Sequence, residues 1–267
     1  MRGSLGEKIG EGAMADIHAW APGRVLKLFK AGVSRRFGEH EARMTRAVFA
    51  AGGPAPEVLD EVTLEGRFGI VLPRFDGPTL LQLLLTRAMT SEQAGAILAT
   101  LYISVHKTPP PSDVLSLRDW IDAVSRIPGV MPRHIATGVL ALIERRPPGD
   151  GLCHADLHPG NVIMTADGPR IIDWACTVRA RAAIELGHCH VTLSELVREG
   201  IDPKRPRALN AAVQSKYARL AGMSPAALTA AMEPYLPIVR ALVLAQRPAE
   251  RERLIQRVEA ALRSEDL

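Results

Sequence analysis

Only two of the 267 residues are asparagine, Asn161 and Asn210, so a carboxamide at position 161 asks for a reason. Cysteine is also scarce. Cys153, Cys176 and Cys189 are odd in number and confined to the second half, which excludes a secreted disulfide framework and points to reduced thiols. Aromatics are 4% and no basic run exceeds pairs such as Arg35-Arg36 and Arg145-Arg146. The net charge of +4 and pI near 9.2 therefore read as a solvated basic surface, with no nucleic-acid partner. No basic start leads into an apolar run, and the longest apolar stretches, near Leu80 to Leu85 and Ile238 to Leu244, are short or broken by Gln82 and Arg240. The expectation is a cytoplasmic protein with no membrane partner. Lysine is the last scarcity: 6 against 27 arginines, so each lysine can be asked why it is not arginine.

What is present divides into two regions, 1–75 and 76–267. Gly-rich GEGAMADIHAW (10–20) and RVLKLFK (24–30) read as two strands joined at Pro22-Gly23. Ser34 then caps a helix to about Ala51, with Phe37, Glu41, Met44 and Val48 on one side and Gly52-Gly53-Pro54 stopping it. Residues 57–75 read as two strands around Glu65-Gly66. After Asp76-Gly77-Pro78 the periodicity turns helical, at about 79–86, 91–106, 116–126 and 133–145. A short strand-and-loop island, Leu152 to Trp174, interrupts the helices, which resume from Ala183 to the C-terminus. The pattern predicts an α+β chain, a small sheet lobe before a larger helical one.

The polar residues concentrate in that island. CHADLHPGNVIM places His154, Asp156 and Asn161 together, and RIIDW adds Asp173. Two carboxylates and a carboxamide are hard oxygen donors suited to Mg²⁺, which proteins hold with one or two carboxylates and substrate phosphates. The D-x-x-x-x-N spacing lets Asn161 turn back toward a metal while Asp156 stays free to take a proton from an attacking hydroxyl.

HADLHPGN resembles the H-x-D-x-x-x-x-N catalytic loop of the kinase-like small-molecule phosphotransferases, the aminoglycoside phosphotransferase and choline kinase group, and IIDW is similar to their metal-binding segment. The resemblance implies a bilobal protein-kinase-like fold using ATP and Mg²⁺, with Asp156 as base, Asn161 and Asp173 as metal ligands and His154 bracing the loop. The other parts follow in order. GEGAMAD resembles a nucleotide-covering loop with Gly10 and Gly12 in place and Ala15 where a third glycine would stand. Lys27 in VLK matches the lysine that grips the α- and β-phosphates, and Glu41 its helix partner, with Glu39 as the alternative. IVLPRFDG matches the inter-lobe hinge, where backbone groups of Arg74 and Phe75 would meet the base. Proline at 73 removes one N–H donor there, which favours Phe75 or a near neighbour as the donor.

Departures from the family pattern fall after Asp173: Ala180-Arg181-Ala182 replaces the usual Gly-Asp-Pro, and Glu185 stands where relatives often carry aspartate. The His and Cys residues at 153, 154, 158 and 188–190 lack the separations of a zinc site. The implied activity is transfer of a phosphoryl group to a hydroxyl of a small molecule. A protein kinase is the second reading, without an A-P-E segment to support it, and a catalytically silent nucleotide-binding module the third. From Val191 onward nine acidic residues face twelve Lys or Arg, which disfavours a polycationic substrate and leaves neutral or anionic alcohols open. Oligomeric state is not legible.

Overall fold

Alternation of side chains across a strand shapes the first part of the molecule. The computed structural model describes residues 5–196 and 202–265. Strands β1 (Lys8–Glu11), β2 (Ala15–Ala21), β3 (Arg24–Phe29), β4 (Asp60–Leu64) and β5 (Arg67–Pro73) form one antiparallel sheet ordered β1-β2-β3-β5-β4. On β3, Leu26 and Leu28 face one side and pack with Val71, while Lys27 and Phe29 face the other, where helix α1 (Arg35–Ala50) lies. On α1, Glu41, Met44 and Val48 recur at helical spacing on the buried face. The β4–β5 hairpin closes through Glu65 and Gly66, both at positive φ, the backbone a two-residue turn requires.

Two expectations need correcting in detail. The stretch 10–20 is not one strand: Gly12 donates its N–H to the Ala15 carbonyl at 2.8 Å, and this turn divides β1 from β2. Ser34 sits at the N-cap of α1, but its side chain makes no capping bond.

The second part is mainly helical: α2 (Leu80–Leu85), α3 (Ser91–Lys107), α4 (Leu117–Ser125), α5 (Arg133–Arg145), α6 (Ala182–His190), α7 (Lys204–Leu220), α8 (Pro225–Met232), α9 (Leu236–Gln246) and α10 (Arg251–Ser264). Capping boxes Thr79/Gln82 and Thr90/Gln93 start α2 and α3, each cap contributing on the order of 1 kcal/mol. Of the helices expected from Ala183 onward, residues 197–201 and 266–267 lie outside the described residues, as do 1–4 of the first region. The apolar run Ile238 to Leu244 is buried between α5 and α10, so it is core.

Two short hairpin-like sheets sit among the helices, β6 (Gly151–Cys153) with β9 (Val178–Ala180), and β7 (Val162–Thr165) with β8 (Gly168–Ile171). They frame the polar island. The link between the sheet region and the helices runs through Gly77 at φ 148°, where a Cβ would lie 1.9 Å from the Met164 carbonyl oxygen. Only glycine lets the link pass so close to β7.

Candidate active site

The loop between β6 and β7 is held by its own backbone, by α3, α6 and α9, and by the segment that follows β8. His154 is fully buried against Trp174, ring centroids 4.6 Å apart, and its Nε2 lies 3.1 Å from the Ile172 carbonyl. Asn161 donates from Nδ2 to the Asp156 carbonyl at 3.0 Å, and its own carbonyl accepts from Ile172 N at 3.0 Å. Ile172 thus ties the loop to Asp173, the next residue. Tyr102 on α3 adds a 2.7 Å bond to the Leu157 carbonyl. Among the described residues the Asn161 side-chain oxygen receives no hydrogen bond, which leaves it available to a cation.

Ala155 and Asp173 both occupy left-handed backbone, at φ 60° and 66°, a conformation that costs a non-glycine residue about 1–3 kcal/mol. Surroundings hold Ala155 there. Its N–H donates to Glu185 Oε1 at 2.8 Å and its carbonyl accepts from Gln246 Nε2 at 3.1 Å. Glu185 is buried and bonded through Oε2 to His106 Nε2 at 2.7 Å, and His106 Nδ1 meets the Tyr217 hydroxyl at 2.8 Å. Burial opposes the Glu185 charge, yet His106 and the Ala155 amide outweigh it and hold the carboxyl below its ordinary range.

Across the cleft, Lys27 Nζ lies 2.5 Å from Glu41 Oε1 and 3.4 Å from Asp173 Oδ1. Glu41 is the partner because it lies on the buried face of α1; Glu39, on the exposed face, pairs with Arg35. Burial works against the Lys27 charge, but Glu41 and Asp173 prevail and its pKa lies above the ordinary lysine value. Burial raises Glu41 to about 7, with Asp173 adding to the rise and Lys27 opposing it; its Oε2 is buried and has no partner among the described residues. Asp173 is also penalised by its surroundings, but Lys27 wins and its pKa falls below the usual carboxylate value.

Gly10 and Gly12 lie in the β1–β2 hairpin. A Cβ at either would make only ordinary or slightly tight contacts, at 3.4 Å from Ile17 Cβ and from the Ala15 carbonyl, so packing alone does not demand glycine. The N–H groups of Ala13 and Met14 at the tip have no acceptor among the described residues. Ala15 turns its methyl into the core beside Phe29 and Phe68, away from the loop's open side. At the link between the lobes, the Arg74 N–H is taken by the Gly23 carbonyl and its guanidinium by Asp76, whereas the Phe75 N–H has no acceptor among the described residues.

Sequence reasoning missed Arg247, Gln246, His106 and His40. Arg247 Nη2 lies 2.9 Å from Asp156 Oδ1. Gln246 Oε1 accepts from His188 Nε2 at 2.8 Å while its Nε2 donates to the Ala155 carbonyl. His40 on α1 contacts the Ala175 carbonyl at 3.0 Å. None carries a local signal, since each partner lies far away in the chain. Of the metal-type side chains, His106, Cys153 and Glu185 lie close enough to share an ion, but each is already engaged in hydrogen bonds.

A five-stranded antiparallel sheet with one helix, joined by a short link to a helical part that carries the polar loop, is a protein-kinase-like fold. The chain belongs to the phosphotransferase enzyme family (APH), whose model matches residues 15–223. Solved structures with the same fold include a choline/ethanolamine kinase family protein from Mesorhizobium loti, 18% identical, covering 97% of this chain and 87% of its own, at TM-score 0.61. An aminoglycoside-3'-phosphotransferase of type VIII is 20% identical, covering 91% and 93%, at TM-score 0.58. An aminoglycoside phosphotransferase from Streptomyces rimosus, in complex with ADP and streptomycin, is 17% identical, covering 87% and 91%, at TM-score 0.55. None of the curated proteins matches the chain in sequence.

Proposed function

We propose that this protein transfers the γ-phosphoryl group of ATP to a hydroxyl of a small molecule, with Mg²⁺ as cofactor. The observation that carries the reading is the continuity of the site: Lys27 joins Glu41 to Asp173, and Ile172 joins Asp173 to the loop bearing Asp156 and Asn161. The nucleotide lies in the cleft between regions 1–75 and 76–267. Its base meets the Phe75 N–H, its phosphates the tip of the Gly10 to Gly12 hairpin, and Lys27 neutralises phosphate charge.

The Asp173 carboxylate and the Asn161 side-chain oxygen are the donors a hard cation takes alongside phosphates, so the residues present fit Mg²⁺. When bound, the ion supplies charge neutralisation on the phosphates. Asp156 accepts the proton of the substrate hydroxyl while that oxygen bonds to the γ-phosphorus. The bond from the γ-phosphorus to the bridging oxygen breaks, and ADP leaves with the electron pair. His154, Glu185 and Gln246 hold the strained loop, so the backbone that carries the base is set before substrate arrives.

A second reading, a nucleotide-binding module without transfer, draws on the Arg247 guanidinium that occupies Asp156. Calorimetry with ATP, with and without Mg²⁺, beside Asp173→Ala separates the cases when followed by an ADP-release assay over hydroxyl compounds. Magnesium-enhanced binding lost in the variant, plus ADP release with an acceptor, supports the transferase. Binding without release for any acceptor favours the module, and no binding at all rejects both.

A further inference from the structure

Beside the loop, between α2 and the start of α7, runs a groove. Leu81, Leu84 and Leu85 form one wall and Leu193 and Leu209 the other, with His158 to Gly160 of the loop at one end. Three arginines line it, Arg205, Arg207 and Arg247, and among the described residues lining it there is no Asp or Glu. Two carboxylates beside lining residues are already matched. Asp156 is held by Arg247, and Glu195 by Arg240 at 2.8 Å and Arg257 at 2.5 Å.

The arginines, by contrast, keep unused hydrogen-bonding capacity. Arg205 gives one N–H to the Leu84 carbonyl, and among the described residues neither it nor Arg207 has a carboxylate partner. Arg247 donates through Nη2 to Asp156, yet its Nε is buried with no acceptor among the described residues, a costly state for a charged donor. A guanidinium presents its N–H groups as a fork that suits two oxygens of one oxyanion. A polycationic ligand would instead meet three like charges and, among the described residues lining the groove, no carboxylate, an arrangement that selects against it.

We infer that the acceptor is an alcohol bearing an oxyanion on an apolar body, its chain along the leucine walls and its anion on Arg247 and Arg207. This deepens the phosphotransferase reading and rests on it. The oxyanion competes with Asp156 for Arg247, so arrival of a matching substrate also releases the carboxylate that takes the hydroxyl proton. Arg247 is then a positioning residue that couples substrate recognition to the base. The transfer itself is the one described above: an O–P bond forms, the bridging P–O bond breaks, and the proton passes to Asp156.

The test uses the whole chain. Binding of ATP with Mg²⁺ is measured first by calorimetry. With a non-hydrolysable ATP analogue present, the protein is then titrated with ω-hydroxyoctanoate, ω-hydroxyoctyl phosphate, octanediol and ω-aminooctanol. The two anions are expected to bind about tenfold tighter than the diol, the ratio that roughly one charge-assisted hydrogen bond supplies, and the amino alcohol more weakly than the diol. Carboxylate against phosphate separates the two oxyanion sources. Arg207→Gln and Arg247→Gln should each narrow the gap between anion and diol; Arg207 is exposed, so its variant keeps the fold. Equal binding of all four, tightest binding by the amino alcohol, or no binding by any of them overturns the inference. If the anions are preferred although ATP does not bind, the groove chemistry stands and the phosphotransferase reading fails. ATP binding without an anion preference leaves the phosphotransferase reading in place and rejects the groove chemistry.

Discussion

Arg247 and Asp156 meet at 2.9 Å although 91 residues separate them in sequence. The guanidinium holds a carboxylate oxygen that the proposed transfer needs, so this contact governs the group on which that transfer depends. Asp156→Asn keeps the size and polarity of the side chain but removes the base. Turnover in an ADP-release assay should fall by about 10²–10⁴, the usual contribution of general-base catalysis, with ATP affinity by calorimetry kept. Undiminished turnover would reject Asp156 as the base.

Lys27→Met removes one member of a buried ion pair. Breaking such a pair costs about 3–5 kcal/mol when the remaining charge stays buried. Glu41 already titrates near 7 because of burial, and loss of Lys27 raises it further. Protonation therefore relieves the variant at low pH but not at high pH. Urea denaturation at pH 6 and pH 8 should give a larger stability deficit at pH 8; equal deficits would contradict the pairing.

Glu185 is the test of loop strain. Glu185→Ala leaves the Ala155 N–H and His106 without their buried partner, and should destabilise the protein by about 1–3 kcal/mol while lowering turnover. Glu185→Gln retains a carbonyl acceptor for Ala155, and its N–H can donate to His106 Nε2 once that ring carries its proton on Nδ1 and gives it to the Tyr217 hydroxyl. It should restore most of both losses, whereas a purely electrostatic role would leave Gln no better than Ala.

Acid stability should be governed in part by His158. Burial lowers its pKa to about 4 from 6.5, with Asp156 opposing and Arg247 and His154 reinforcing. Between those values the unfolded chain holds a proton that the folded one does not, so stability is full above 6.5 and declines as pH falls toward 4. His40, His188 and His190 are likewise lowered mainly by burial and act with the same sign. Glu41 opposes them, since its folded carboxyl keeps a proton up to about 7. The difference between wild type and His158→Asn isolates one group: the variant should lose about 1–3 kcal/mol less on going from pH 7 to pH 5, and parallel pH profiles would refute the assignment.

Lys27, Asp156, Asn161 and Asp173 are legible in the sequence because each sits in a short motif whose spacing mirrors local geometry. Glu41 is separable from Glu39 by helical periodicity, because only one face of α1 is buried. The β1–β2 hairpin is not legible, since its turn depends on one backbone bond from Gly12 to Ala15 within an otherwise strand-like pattern. Arg247, Gln246, His106 and His40 are invisible for a different reason. Their partners become neighbours only when α3, α6 and α9 pack together, or α1 against the second lobe, and no sequence interval encodes that approach. The groove follows the same rule: charge counting along the tail shows only that acid does not predominate, and the leucines meet the arginines only because the fold sets α2 opposite the start of α7.

Helix α1 belongs to neither lobe alone. Its Ala42 packs under the sheet, its Met44 and Val48 enter the core containing Leu98 and Tyr102, and His40 reaches the Ala175 carbonyl. A helix fastened on both sides is a strut, and swinging it outward would expose two cores at once. Regulation by helix displacement is therefore expensive in this architecture, and the gate that the proposal leaves is the guanidinium over Asp156, which on that reading opens in response to the cargo instead of a signalling partner.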